Sequence, residues 1–195
     1  MLLAVFLALS PALSAAAPPS VEAAAGRFGP ALVTVRWADE GASTGFFVTS
    51  AGTAVTVLPE GVTDVIVELA GGARRQGQVL LREADGLALV GLSLTAGETP
   101  RLPALAVVDE DRVVSAEVWL VGLGVQEGQP SPSLGGLRRV DARGRWRLDL
   151  PLPPGAPVLM DGRVVAVVLE RDGRTASVAL PAGRLRAAAA RLPRP

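Results

Sequence analysis

The chain has 195 residues, of which 49% are hydrophobic and 19% are charged, and this balance is typical of a packed globular body. Its nineteen basic and nineteen acidic residues cancel, so we predict no nucleic-acid partner. The sequence contains no histidine and no cysteine, and every basic side chain is arginine. We therefore predict no metal, no cofactor and no reaction that needs a histidine base or a cysteine nucleophile.

The first residues have the pattern of a secretory signal peptide. An apolar run over Leu2–Leu9 is followed by a proline and then by small residues. We predict a signal peptide over residues 1–16, cleaved after Ala16, and an Ala- and Pro-rich linker over residues 17–27. An uncleaved anchor is the alternative, but the run is shorter than the roughly 20 residues that a membrane span needs. The prediction is a secreted or periplasmic protein of the bacterial cell envelope, with no stable membrane span.

The first half, over residues 28–98, consists of short β-rich segments separated by turn residues. One of them alternates, with Val65 and Val67 on one face and Ile66 on the other. Gly71-Gly72 then predicts a hairpin turn. The strands predicted in this half are 31–37, 45–49, 54–58, 62–69, 76–81 and 86–94.

The second half, over residues 107–182, follows a Pro-containing connector at 99–106 and has the same character. Asp161-Gly162 is a strong signal for a hairpin turn. One helix is predicted, over residues 183–192, because this segment is rich in Ala, Leu and Arg. Many short strands and one terminal helix predict an all-β barrel or sandwich in two halves. The predicted strands here are 116–122, 134–140, 145–150, the hairpin 157–169, and 175–180.

In the first half, the segment Ser43–Ser50 is followed by the turn Ala51-Gly52 and by the strand Thr53–Pro59. In the same order, these segments resemble the Gly-Ser-Gly-Phe strand, the turn and the apolar strand ending in Thr-Asn-x-His of the HtrA-type branch of the trypsin-like serine proteases. Asp85–Val90 resembles the family's Thr-Asp-Leu-Ala-Val-Leu motif.

The second half continues the resemblance. The family's strand before Gly-x-Pro is similar to Val118–Gly122. Its Thr-x-Gly-x-Val segment is similar to Ser133–Leu137. Leu152–Val158 with Gly162–Ala166 resembles Gly-Asn-Ser-Gly-Gly-Pro-Leu-Val followed by Gly-x-Val-x-Gly. Leu180-Pro181 resembles the Ile-Pro pair before the family's terminal helix.

This resemblance covers residues 28–192 and implies a trypsin-like double six-stranded β-barrel with a short C-terminal helix. The first barrel would span residues 28–98 and the second residues 107–182. The PDZ domain that usually follows in the family is not predicted.

The resemblance also places the catalytic positions of the family on this chain. The histidine position falls on Pro59, the aspartate position on Gly86 and the serine position on Pro154. In the family, the backbone N–H of the serine helps to form the oxyanion hole, and proline has no N–H. The base, the nucleophile and one oxyanion donor are thus expected to be missing, and no catalytic residue is predicted.

Three other groups of polar residues have two interpretations each. Asp85 is either a relic of the catalytic acid, shifted by one position, or a turn residue at the start of a strand, which we favour. Ser131 and Ser133 are interpreted as turn residues of a Pro/Gly-rich loop over 126–136 rather than as nucleophiles. The acidic run 109–111 has oxygen ligands that suit Ca²⁺, but we favour a solvated turn.

We therefore predict a non-catalytic trypsin-like domain that acts as a peptide- or protein-binding module. Its inter-barrel cleft and the edge strands of its second barrel suit β-augmentation, in which an extended peptide adds to a sheet. The alternatives are a structural subunit of an envelope or secreted assembly, or a hydrolase with a non-standard carboxylate site. A large exposed apolar patch around Trp37, Trp119 or Trp146 would favour the structural subunit.

Overall fold

The computed structural model describes residues 19–38, 40–93, 104–107 and 118–191. The predicted signal peptide (1–16), the acidic run 109–111 and all of the predicted connector except residues 104–106 lie outside this part of the chain. The described part is all-β apart from two short helices and one 3₁₀ turn, as predicted for the fold class.

The first half forms a closed antiparallel barrel of six strands, which confirms the prediction for this half. Around this first barrel the strands follow the order 1-2-3-6-5-4. Their bounds are β1 (Leu32–Arg36), β2 (Ala42–Phe47), β3 (Thr53–Val57), β4 (Asp64–Leu69), β5 (Arg74–Arg82) and β6 (Leu87–Leu92).

The alternation of β4 sets which of its faces enters the barrel. Val65 and Val67 are buried in the barrel interior, whereas Ile66 between them is 42% exposed. This is the period of two that a strand with one buried face requires. Gly71 and Gly72 both have positive φ and make the predicted turn from β4 to β5.

The second half forms a curled sheet of seven strands, where a barrel of six strands was expected. This second sheet has the strand order 8-7-11-12-13-10-9. The predicted turn at Asp161-Gly162 joins its strands 11 and 12, and both residues have positive φ. The bounds are β7 (Leu120–Gln126), β8 (Gln129–Gly135), β9 (Leu137–Val140), β10 (Trp146–Leu148), β11 (Pro157–Met160), β12 (Arg163–Asp172) and β13 (Ala176–Pro181).

The two outer strands of the second sheet, β8 and β9, are consecutive in the chain. Only Gly136 separates them, so the two edges of the sheet meet at this corner. The corner is tight: a Cβ at Gly135 would lie 2.2 Å from the carbonyl oxygen of Asp149. β8 and β9 are therefore the two halves of one bent strand, of which the first half pairs with β7 and the second half with β10.

Ser131 and Ser133 lie in β8, and the prediction of a loop over 126–136 is wrong for most of this range. The true turn is only Glu127-Gly128, where both residues have positive φ. Sequence patterns miss this strand because Pro130 and Pro132 interrupt it. An edge strand tolerates proline because one of its two sides needs no N–H donor.

The segment predicted as a linker over 17–27 contains a helix, α1 (Val21–Phe28), which a 3₁₀ turn (Gly29–Ala31) connects to β1. Ser20 begins the helix, and its Oγ accepts a hydrogen bond from the N–H of Ala23 at 3.2 Å. A serine before an Ala-rich run is a helix start signal. The composition of the segment thus supports a helix as well as a linker.

One apolar cluster, the shared core, joins the two halves. It buries Leu32, Phe46 and Leu89 of the first barrel against Leu123 and Val167 of the second sheet. Each half also has its own separate cluster of buried residues. Since apolar burial is the main stabilising term in folding, the shared core fixes the two halves against each other.

The connector and both helices also belong to this interface. The N–H of Leu105 donates to the carbonyl of Phe47 in β2, and the carbonyl of Ala106 accepts from Val164 of β12, both at 2.8 Å. The C-terminal helix α2 (Ala182–Ala189) lies within one residue of its predicted start and buries Leu185 in the shared core. Phe28 of α1 packs against the same cluster.

The turn between β9 and β10 is fixed by one carboxylate. Asp141 accepts hydrogen bonds from the backbone N–H groups of Arg143 (2.8 Å) and Arg145 (3.0 Å), and from Nε of Arg145 (2.8 Å). These bonds favour the charged carboxylate. They lower the pKa of Asp141, and the backbone bond from Arg145 is the largest cause.

This lowered pKa predicts a pH dependence of stability. A carboxylate whose pKa is lower in the folded state stabilises the fold above its unfolded pKa, and this stabilisation is lost as the pH falls through the folded pKa. We expect Asp141→Asn to be less stable than the parent chain at neutral pH, and the difference to shrink between about pH 5 and pH 2. Urea unfolding of both chains at each pH, monitored by tryptophan fluorescence, measures this difference in stability. A difference that stays constant over this range would contradict the prediction.

Candidate functional site

The positions predicted for histidine and aspartate lie side by side at one end of the first barrel. Pro59 follows β3, Gly86 precedes β6, and these strands pair antiparallel. The N–H of Leu58 donates to the carbonyl of Gly86 at 2.9 Å. Pro59 is exposed, and Gly86 has a φ of 87°. The structure thus brings the two positions together, and a proline and a turn glycine occupy them.

The serine position, Pro154, contacts the same end of the first barrel. Its carbonyl accepts hydrogen bonds from the N–H of Thr44 (3.1 Å) and from Oγ of Ser43 (3.0 Å). Oγ1 of Thr56, three residues before Pro59, donates to the carbonyl of Thr44 at 2.7 Å. All three predicted positions therefore surround one buried polar contact between the first barrel and the loop 151–157, here called the proline loop.

Gly155 allows the proline loop to approach β2 so closely. A Cβ at this position would lie 1.8 Å from the carbonyl oxygen of Thr44, and the φ of Gly155 is 79°. Real Cβ atoms do not come so near to another atom, and only glycine adopts this backbone conformation readily. The contact between loop and barrel therefore requires glycine.

The proline loop presents no unpaired backbone N–H group. Four of its seven residues are prolines, which have none. The other three N–H groups donate to carbonyl oxygens of the protein: Leu152 to Leu150, Gly155 to Val168, and Ala156 to Pro153. An oxyanion hole needs free donors that converge on one point, and this loop offers none.

The polar side chains at the contact are occupied as well. Ser43 and Thr56 are 5% and 0% exposed, and their hydroxyl groups donate to the carbonyls of Pro154 and Thr44. The sequence pattern around Ser43 indicates the family resemblance but does not predict this contact. The signal available was a Ser-Thr pair directly before Gly45, in a strand that is otherwise apolar.

Asp85 lies in the turn between β5 and β6, as one of its two interpretations proposed. Its Oδ1 accepts from the N–H of Leu87 at 3.3 Å, and its Oδ2 lies 3.6 Å from Nη2 of Arg184 in α2. Glu83 in the same turn forms a second ion pair with Arg191. These contacts attach the C-terminal segment to the first barrel.

Two pockets of about 340 Å³ each lie elsewhere on the surface. One is formed by β1, the Gly71-Gly72 turn and the Glu127-Gly128 turn, between the first barrel and the second sheet. The other is formed by Trp37 and Ile66 with their neighbours. None of the three predicted catalytic positions lines either pocket.

The described residues hold neither a candidate metal site nor a candidate membrane helix. No group of three or more carboxylate, histidine or cysteine side chains is placed there to hold a metal ion. Neither described helix is long and apolar enough to cross a membrane. The acidic run 109–111, considered above for Ca²⁺, lies outside the described residues.

The architecture, a closed six-stranded barrel beside a curled sheet, is compatible with the double-barrel fold of the trypsin-like proteases. A scan against protein-family models and a search of curated proteins both found no match to this chain.

The close approach at Gly155 predicts a large loss of stability for Gly155→Ala. The added Cβ would collide with a backbone carbonyl and would also strain a positive φ, so we expect a loss of about 2–4 kcal/mol. Gly173→Ala is the matched control, since its φ is 70° but the space around it is open. For this control we expect the free energy of unfolding to fall by about 1 kcal/mol. Equal losses in urea unfolding would mean that the contact with Thr44 is not tight.

The ion pair of Asp85 is expected to add little stability. Arg184 is 61% exposed, so water and salt screen the pair, and Asp85→Asn should cost less than about 1 kcal/mol. Leu185→Ala, which removes a buried side chain of the same helix, should cost about 2–5 kcal/mol. Comparable losses of stability for the two variants would mean that ion pairs hold α2 in place as strongly as its buried apolar contacts do.

Proposed function

We propose that this chain is a non-catalytic trypsin-like domain of HtrA type that binds a peptide or protein in the cell envelope. In this proposal it is a secreted or periplasmic protein with the catalytic positions of the family replaced by Pro59, Gly86 and Pro154. The order of motifs over residues 28–192 and the double-barrel-like architecture support the relationship.

The surroundings of Pro154 support the loss of catalysis in this proposal. Acyl transfer requires a nucleophile, a base that activates it and donors for the oxyanion. The proline loop has no free N–H donor, and the nearby hydroxyls of Ser43 and Thr56 donate to backbone carbonyls. The sequence has no histidine to act as the base.

The observation that carries the binding function is an unpaired strand edge beside the proline loop. The pairing of β12 with β11 ends at Val167 opposite Pro157, and Val168 makes the last two backbone bonds on that side. Pairing with β13 continues to Asp172 opposite Ala176. Within the described chain, residues 169–172 thus have a neighbour on one side only, and an extended peptide fits the other side by β-augmentation.

The shared core limits where such a peptide would bind. Apolar side chains of both halves fill the interface below the proline loop. A peptide would therefore lie along the rim, over residues 169–172, rather than between the first barrel and the second sheet. Its backbone hydrogen bonds would supply most of the affinity, because the rim has few apolar side chains.

A structural subunit of an envelope assembly is the second candidate, and one residue favours it. Trp119 is 46% exposed, and a large exposed aromatic side chain suits a permanent interface. Trp37 is half-buried and Trp146 is 4% exposed, so the three tryptophans do not share an equally exposed surface. The peptide-binding function is therefore preferred.

Site-directed crosslinking tests the binding edge, and the absence of native cysteine makes every introduced thiol unique. In the variant Glu170→Cys, a photo-crosslinker attached to the new thiol lies at the unpaired edge of β12. Arg163→Cys places it on an exposed residue at the other end of the same strand and is the matched control. With a defined library of extended peptides, we expect crosslinks from position 170 at several times the yield from position 163, as read by mass spectrometry.

Equal yields from the two positions, or none from either, would contradict peptide binding at this edge. The non-catalytic part of the proposal has its own test, which is incubation of the purified chain with casein and a small ester. No hydrolysis is expected. Hydrolysis that is abolished by replacing a particular pair of carboxylates would favour the alternative of a carboxylate enzyme.

A further inference from the structure

A cavity of about 340 Å³ lies where β1 meets two hairpin turns, one from each half of the chain. One turn, at Gly71-Gly72, joins β4 to β5 of the first barrel, and the other, at Glu127-Gly128, joins β7 to β8 of the second sheet. We call this cavity the junction pocket. Its volume is at the lower end of the roughly 300–1,000 Å³ of ligand pockets, so it admits a small molecule or one long side chain.

The turn at Glu127-Gly128 is attached to the first barrel on both of its sides. Before the turn, the N–H of Val125 donates to Oγ1 of Thr44 in β2 at 3.3 Å. After the turn, Pro130 packs so closely against Gly29 that a Cβ added at Gly29 would lie 2.7 Å from the proline ring. The walls of the junction pocket are therefore fixed in the absence of a ligand, which lowers the cost of ordering the site when a ligand binds.

The junction pocket has an apolar base and a polar mouth. Leu32 and Val33 of β1 are buried at its base, whereas Glu127 is exposed at its mouth. The glycines of the two turns add backbone amide groups to the wall. Such a lining suits a ligand that has an apolar part and one polar end.

The charged residues in the lining of the junction pocket are acidic. Among the described lining residues, Glu68 and Glu127 carry charge and none is an arginine, although the chain has nineteen arginines. Oε2 of Glu68 accepts a hydrogen bond from Nε of Arg36 at 3.0 Å and lies 3.7 Å from Nη2 of Arg74. Glu127 has no ion pair within the part of the chain that the structure describes. Its carboxylate is thus the charge that a ligand can neutralise.

This lining disfavours three classes of ligand. An anion would meet two carboxylates and no arginine of the lining. A wholly apolar ligand would remove water from polar groups of the wall without replacing their hydrogen bonds. A metal ion would find no group of three ligating side chains in the described residues.

We propose that the junction pocket binds a guanidinium or ammonium group carried on a short apolar stem. The stem lies against Leu32 and Val125, and the cation forms a charge-assisted hydrogen bond with the carboxylate of Glu127. Thr34 and Gln129 also line the pocket, and their side-chain oxygens can accept hydrogen bonds from the other N–H groups of the cation.

The junction pocket is distinct from the peptide-binding edge proposed above. No residue of 151–157 or of 169–172 lines it, so either proposal can fail without the other. The cation can come from two sources, a free small molecule and a basic side chain of a partner protein. Both sources present the same chemistry to Glu127.

An NMR titration of the isotope-labelled full chain with three probes tests the proposal. N-acetyl-arginine amide carries the guanidinium group on an apolar stem, N-acetyl-citrulline amide has nearly the same shape without the charge, and guanidinium chloride has the charge without the stem. We expect saturable shifts of the backbone N–H signals of Gly71, Gly72 and Gly128 with the arginine derivative at millimolar concentration. The other two probes should bind at least about tenfold more weakly, because each lacks one of the two contacts.

A matched pair of charge variants locates the cation. Glu127→Gln keeps the length of the side chain but removes its charge, and should weaken binding of the arginine derivative roughly tenfold. Glu60→Gln makes the same change at an exposed residue at the opposite end of the first barrel and should alter binding by less than about twofold.

A second matched pair tests the cavity itself. Ala70→Trp adds a large side chain at an exposed residue of the lining and should weaken binding roughly tenfold, because the new side chain competes for the pocket. Ala73→Trp makes the same change in the same turn, at an exposed residue outside the lining, and should leave the affinity within about twofold. Circular dichroism of all four variants should match that of the parent chain, because all four side chains are exposed.

Four results would overturn the proposal. The first is the absence of saturable shifts with the arginine derivative. Equal affinity for the citrulline derivative would mean that the pocket does not recognise charge. Equal weakening by Glu127→Gln and Glu60→Gln, or equal affinities of the two tryptophan variants, would place the binding outside the junction pocket.

A short peptide, Gly-Ser-Arg-Ser-Gly, distinguishes the two sources of the cation. Binding tighter than that of the arginine derivative would assign the pocket to a basic side chain of a partner protein. Failure of the peptide to bind, where the arginine derivative does bind, would assign the pocket to a free small molecule.

Discussion

The shared core is the constraint on which the rest of the structure depends. Leu32 and Phe46 of the first barrel pack against Leu123 and Val167 of the second sheet, and the connector at Leu105 is buried with them. This burial holds the proline loop against β2, where the carbonyl of Pro154 meets Thr44. The geometry of the candidate site therefore depends on the two halves being fixed to each other.

The proline loop is held in place by backbone contacts and has no free N–H donor. Prolines remove N–H donors, Gly155 brings the loop into backbone contact with β2, and the remaining donors bond within the protein. These contacts attach the loop to the first barrel. Within the described chain, the part of β12 beside this loop has unpaired backbone groups, and the proposed peptide-binding edge lies there.

Much of the fold follows from local patterns in the sequence. The alternation around Val65 and the turn at Asp161-Gly162 each predict their structure, because a period of two and a pair of positive φ angles are properties of a few adjacent residues. The strand β8 and the closeness of Gly155 to Thr44 are not predictable in this way. Both depend on the tertiary structure: β8 tolerates its prolines because it lies at a sheet edge, and Gly155 approaches a carbonyl of the other half.

Both ends of the described chain contribute to the same buried cluster. Phe28 of α1 packs against it near the beginning, and Leu185 and Ala188 of α2 lie within it near the end. Contacts over such long sequence separations slow folding, because the intervening chain must be ordered before they form. The core therefore cannot be completed until α2 has been synthesised. A polypeptide interrupted before α2 would expose the apolar surface that this helix covers, and such surface promotes aggregation.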